Sequence, residues 1–257
     1  MRVLCRKPSV LRAAVFALSL LPATVSLAQQ ANTPPATTRY QVTVVRIKPD
    51  MLNEWVDLQK NEVMPAQKKG GVKERTVLQT AIGNAFEYTI ITPYPSFDAL
   101  DAPPVNVRAL GAEGAARLGE KIRKCIDVQR TYLINRVDDL AIPQGDAVAS
   151  RTTVVRPAPG KMQEYLNHLR ADVLPAMKKA KADGKIAGYA VSIRGVGTQV
   201  GEATTTTYYN KFADMDGGNP VVVALGAAAA APITAKGAAL ATGVQAIIRR
   251  RVADLSF

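Results

Sequence analysis

The chain has 257 residues, 47% of them hydrophobic, and 33 Lys or Arg against 21 Asp or Glu, a net charge of +12. That is material for two small domains or one of medium size. Basic residues are scattered and aromatics make up only 5%, which argues against nucleic-acid binding, where a basic stripe and stacking groups are needed.

Residues 1–28 have the layout of an export signal. Arg2, Arg6, Lys7 and Arg12 are followed by an apolar run from Ala13 to Leu21 and a small-residue end at Ser26-Leu27-Ala28. The run is too short for a membrane span of about 20 residues, so cleavage near Ala28 and a periplasmic or secreted protein are expected. Of the 33 basic residues, 29 then remain against 21 acidic, a balance of +8 that suits weak association with anionic surfaces. Cys5 leaves with the signal and Cys125 stays alone, so no internal disulfide forms and the core alone carries stability. Residues 29–38, with two prolines and no period, are expected to be a flexible leader.

From residue 39 onward the chain repeats itself at an offset of 110. Val44-Val45-Arg46, Glu54-Trp55-Val56 and Val63-Met64-Pro65-Ala66 return as Val154-Val155-Arg156, Glu164-Tyr165-Leu166 and Val173-Leu174-Pro175-Ala176. After a slip of about five residues, attributed to a longer loop, Ala109-Leu110-Gly111 matches Ala224-Leu225-Gly226 and Arg136-Val137 matches Arg251-Val252. The units are 39–140 and 149–257, with a linker at 141–148 marked by Pro143, Gly145 and Asp146.

Each unit opens on alternating polar and β-branched residues, at 40–46 and 151–156, which predict a strand. Apolar residues at helical spacing follow, including Leu52, Trp55 and Val56, and Met162, Tyr165 and Leu169. Pro65 and Pro175 fall inside those stripes and predict a bend. Strands are expected at 72–81 and 86–92, and at 186–194 and 203–210. Turns at Ile82-Gly83-Asn84 and Gly195-Val196-Gly197 separate them. A second helix, at 107–124 or 222–242, precedes a last strand at 131–137 or 246–252. The order β-α-β-β-α-β is that of a ferredoxin-like split unit, with both helices on one sheet face. The other face is bare, and two units in one chain can pack those faces together.

This arrangement resembles the dimeric α+β barrel superfamily in a tandem form. The predicted fold class is α+β, two tandem ferredoxin-like βαββαβ units forming a pseudo-dimeric α+β barrel. The resemblance implies a ligand between sheet and helices or in the barrel interior. It spans monooxygenases, haem proteins and barrels of other roles, so fold alone does not choose a function.

Candidate chemistry is sparse. His168, the sole histidine, lies four residues from both Glu164 and Asp172 and is expected to face solvent in a charged row. Its repeat equivalent is Leu58, and it falls on the first helix of its unit, where the haem-degrading relatives use the second. One His and one Cys are too few for a metal site, and no cofactor is implied. Lys121, Arg123 and Lys124 beside Cys125 are placed to lower its pKa, although a small buried hydrophobe is the simpler role. Asp138-Asp139 is read as a strand-exit turn. The ligand-binding candidates are Trp55 and Tyr165 at one repeat position, Tyr94 and Tyr209 near the third-strand exit, and the matched Arg46 and Arg156. Arg136, Arg249, Arg250 and Arg251 extend the basic set along the last strands, where alternation decides which face inward.

The leading expectation is an exported barrel that binds a small apolar or acidic molecule and is not, or only weakly, catalytic. A cofactor-independent monooxygenase-like enzyme and a structural envelope-associated protein are the alternatives.

Overall fold

The computed structural model describes residues 37–257; the signal layout at 1–28 and the leader up to residue 36 lie outside them. In chain order the first half runs β1 (Thr37–Ile47), α1 (Leu52–Leu58), a π turn (Gln59–Val63), α2 (Met64–Lys69), β2 (Thr76–Ile82), β3 (Glu87–Pro93), α3 (Val105–Cys125) and β4 (Ile126–Val137). The second half runs β5 (Ala149–Pro157), α4 (Met162–His168), a π turn (Leu169–Val173), α5 (Leu174–Ala182), β6 (Gly188–Arg194), β7 (Ala203–Tyr209), α6 (Pro220–Leu225), α7 (Ala227–Leu240) and β8 (Ala241–Arg251). None of the described helices is long and apolar enough to cross a membrane.

The eight strands form one closed barrel in the order β1-β3-β2-β8-β5-β7-β6-β4. Each half thus contributes four antiparallel strands, its last beside its first and its first beside its third. Four strands alone would leave β2 and β4 as edges with unpaired N–H and C=O groups. Those edges are spent on each other's half: Thr80 pairs with Arg249 across β2 and β8, and Arg136 with Ser192 across β4 and β6. Closure therefore comes from backbone pairing at two seams, where bare sheet faces packing together had been expected.

Alternation along each strand separates two environments. Outward residues Val45, Ile47, Val77 and Tyr88 pack beneath Trp55 and Leu58, and Val155, Val191 and Ala203 pack beneath Tyr165, Leu166 and Leu169. Inward residues such as Val42, Leu78, Ile91 and Ile134 line the lumen.

The two prolines act as the sequence suggests, in a particular way. Proline has no N–H to give residue i−4, and its ring crowds that carbonyl. The residues four back from Pro65 and Pro175 are Asn61 and Ala171, and each lies in a π turn that widens the helix just before the proline. In the first half this turn aims Gln59 at Arg75, which is buried without a carboxylate and bonded to Gln59 and Gln67. Gly111 (φ 73°) and Gly226 (φ 80°), matched in the repeat, break α3 and separate α6 from α7, a left-handed conformation that a side chain would strain.

Three segments depart from expectation. The leader overlaps β1, whose Thr37 and Thr38 pair with β4, and Thr38 Oγ1 donates to Asp138 at 2.9 Å. The 141–148 connection is tied down, since Ile142 exchanges both backbone bonds with Tyr189. β4 and β8 begin directly at the ends of α3 and α7, earlier than expected, because Asp127, Gln129 and Gln245 interrupt the apolar alternation while the backbone still pairs with β1 and β5.

Candidate functional site

A cavity of about 390 Å³ opens between the outer face of β5, β7 and β8 and the helices of the second half. Val155, Leu169, Val173 and Met177 supply its apolar wall, Thr153, Thr205 and Thr207 line the sheet side, and Tyr165, Tyr189 and Tyr209 contribute phenols. Burial pushes the Tyr165 hydroxyl up to about 12 and raises Tyr209 as well. Tyr189 is raised further by burial, with Tyr165 adding to it. These phenols stay protonated at neutral pH and act as hydrogen-bond donors, not bases.

His168 lines the same cavity and is 3% exposed, which overturns the solvent-facing expectation. It sits at the edge of the α4 stripe, and α7 crosses over that edge through Gly237 and Thr234. The matched Leu58 is buried too, so the repeat carried a signal that helical spacing on α4 alone missed.

His168 is oriented from one side. Its Nδ1 lies 2.7 Å from Asp172 Oδ2, which also accepts from Lys236 Nζ at 2.6 Å. Those two hydrogen bonds, Lys236 first, hold the Asp172 carboxyl below its ordinary range. An ionised carboxylate only accepts, so Nδ1 is the nitrogen that donates to Asp172, and in the neutral tautomer this leaves the lone pair on Nε2. Gly237 faces that nitrogen: a Cβ there would stand 3.1 Å from Nε2. The arrangement is a carboxylate-oriented imidazole whose Nε2 makes no side-chain hydrogen bond, beside tyrosine donors and an apolar wall. Among the described residues, no group of three or more His, Cys, Asp or Glu is placed to hold a metal ion.

The sequence candidates divide between places. Tyr165 and Tyr209 line the cavity. Trp55, at the position matching Tyr165, is 1% exposed and packs 4.6 Å from Tyr88 inside the first-half core, where it serves as an anchor and not as a pocket wall. Tyr94 is buried edge-on against Phe97 at 5.8 Å. Arg46 is at the surface with Asp127, 3.4 Å away. Arg156 is half-exposed and holds Glu202 at 2.6 Å, so both matched arginines have a carboxylate partner and neither lines the second-half cavity. Arg250 points outward over Phe212, whereas Arg136 and Arg249 face the lumen. Cys125 is fully buried, and burial raises its thiol pKa in spite of nearby basic residues.

The lumen holds two adjoining spaces of about 410 and 380 Å³, both bordered by Tyr132, Thr152, Thr204 and Arg249. The expected Gly195-Val196-Gly197 turn folds against β4 at one end, with Val196 O accepting from Leu133 N at 2.8 Å.

The closed eight-stranded barrel with helices outside and a cavity beneath them is a mixed α/β fold, and its solved-structure neighbours are of the dimeric α+β barrel type. No protein-family model and no curated protein sequence matches the chain. Among solved structures it is similar to an anthrone oxidase-like protein, with TM-score 0.57 and 12% identity over 84% of this chain and 92% of that one. A candidate monooxygenase from Lactobacillus acidophilus matches with TM-score 0.54 and 10% identity, over 86% and 96% of the two chains. One from Fusobacterium nucleatum matches with TM-score 0.55 and 11% identity, over 84% and 93%.

Proposed function

We propose that this chain is an exported, tandem-duplicated barrel that acts as a cofactor-independent monooxygenase-like enzyme on a small aromatic substrate held in the second-half cavity. The observation that carries the reading is His168, buried on the cavity wall with Nδ1 fixed by Asp172 and Nε2 free. Matched π turns, matched glycine breaks and the same strand order in both halves support the duplication. The signal layout of residues 1–28 supports export. The similarity to an anthrone oxidase-like protein and to candidate monooxygenases favours oxygen chemistry over simple binding.

In this reading Nε2 removes a proton from an activated methylene next to aryl carbonyls or phenols, and the tyrosine hydroxyls donate to the developing enolate oxygen. The electron-rich carbanion reduces dioxygen. One oxygen atom remains as the new carbonyl and the other leaves as water, so the substrate itself supplies the electrons. Asp172 holds the imidazole in the useful tautomer and stabilises the imidazolium that forms.

The test is oxygen uptake and product analysis for the mature protein with a panel of anthrones, whose ring methylene is activated by the aryl groups beside it. Turnover is expected, and His168→Ala should lower kcat by about 10²–10⁴-fold, the usual contribution of a positioned base. Asp172→Asn should give a smaller loss. No uptake with any member of the panel, or full turnover by His168→Ala, refutes the proposal.

A further inference from the structure

We infer that the barrel lumen is a second, separate binding site, for an apolar monocarboxylate whose carboxylate pairs with Arg249. Arg249 projects inward from β8 between Thr80 of β2 and Ser150 of β5, and it is 7% exposed. Its Nε has no hydrogen-bond partner, and no ion pair joins it to any described residue. A guanidinium remains charged under all ordinary conditions, and burying one without a counter-charge is strongly unfavourable. Burial accordingly draws its pKa down.

Two neighbouring charged pairs are already made. Arg194 donates to Glu202 at 2.7 Å and Arg136 to Asp138 at 2.8 Å. Glu87 feels Arg249 electrostatically but accepts from Thr80 Oγ1 at 3.4 Å and stands outside ion-pair distance of the guanidinium. Two more buried hydroxyls are without partners: Ser150 Oγ, on the residue that pairs with Arg249 across β5 and β8, and Thr89 Oγ1, on a residue of the lumen wall. The lumen therefore contains an unmatched cation, whose guanidinium a carboxylate satisfies by two parallel N–H···O bonds.

The space next to Arg249 decides what the carboxylate is attached to. The cavity of about 410 Å³ sets Val42, Leu78, Ile91, Ile134 and Ala190 against a threonine-bearing face and the paired Arg136 and Asp138, so the body of the ligand is mainly apolar. The adjoining space is polar, lined by Arg130, Arg194, Glu87, Glu202 and Gln245, of which Arg194 and Glu202 pair with each other. An apolar acid with its head at Arg249 and its body among the aliphatic side chains fits both halves of the environment. A bare inorganic anion would leave the apolar half unused.

The test is calorimetric titration of the mature protein at neutral pH with 1-naphthoate, its neutral amide and sulfate. Naphthoate is expected to bind at least about 10-fold more tightly than the amide or sulfate, as a charge-assisted bond requires. Arg249→Met, of similar length, should weaken naphthoate by about 10- to 100-fold while the protein stays folded, since removing an unpaired buried charge does not destabilise. Ala190→Leu, which fills the apolar space and leaves Arg249 intact, should weaken it by a similar factor. His168→Ala should leave naphthoate binding unchanged, which separates this site from the cavity of the proposed enzyme. Equal binding of the amide, equal binding of sulfate, wild-type affinity in both Arg249→Met and Ala190→Leu, or loss of binding in His168→Ala alone overturns the inference. So does the absence of naphthoate binding to the wild-type protein.

Discussion

Glycine at position 237 is an unfavourable residue for the last turns of α7, costing about 1 kcal/mol relative to alanine. Its φ is ordinary, so only space argues for it. An added Cβ would meet His168 Nε2 at 3.1 Å and Cδ2 at 3.7 Å. The ring would have to retreat by a few tenths of an ångström, but Asp172 grips Nδ1 at 2.7 Å, a bond to a charged group worth about 1.5–3 kcal/mol. Crowding of this kind in a packed region costs about 1–3 kcal/mol. Gly237→Ala is therefore expected to be neutral to destabilising by about 2 kcal/mol in the wild type. In a His168→Ala background, where the ring is gone, the same change should stabilise by about 1 kcal/mol from helix propensity alone. The coupling, about 2 kcal/mol, is read by urea unfolding of the four variants of the cycle. The fluorescence of Trp55, the single tryptophan and fully buried, reports the transition. Coupling within about 0.5 kcal/mol of zero would show that Gly237 is not there to make room for His168.

Glu202, whose side chain is 3% exposed, accepts from both Arg156 and Arg194, and Glu202→Gln should cost about 2–3 kcal/mol in chemical denaturation. Its folded pKa lies below the ordinary carboxylate value because those bonds outweigh the burial that opposes them. The stabilisation is thus present above pH 4.5 and lost as pH falls through the folded pKa. The variant should lose part of this acid limb, and an identical pH profile for the two proteins counts against the pairing. Cys125, with its thiol pKa raised by burial first and Glu54 second, should resist iodoacetamide in the native protein and react only as fast as the chain unfolds. Labelling at the rate of a free thiol in native buffer would contradict its burial.

Much of the architecture was legible because it is written in local patterns. Alternation marked the strands, the Trp55 and Tyr165 stripes marked the helices, and the offset of 110 related them. The matched prolines announced an interruption that is realised as matched π turns. The site was less legible. Tyr165 and Tyr209, two of the expected ligand-binding residues, line one cavity, yet Trp55, which follows the same pattern, is packed solid against Tyr88. Arg46 and Arg156 match across the repeat, but a match reports common position and not a vacant charge; both have carboxylate partners.

By itself the sequence determined the order and type of the elements and the pairing of like positions, since these depend on residue spacing within one helix or strand. Only the tertiary structure decided the environments of His168 and Arg249. His168 became buried because α7, more than sixty positions later in the chain, crosses the edge of α4. Arg249 became an unpaired interior charge because β2 and β8 close the barrel and turn its side of the strand inward. Burial and charge balance are sums over distant segments, and no local pattern contains them.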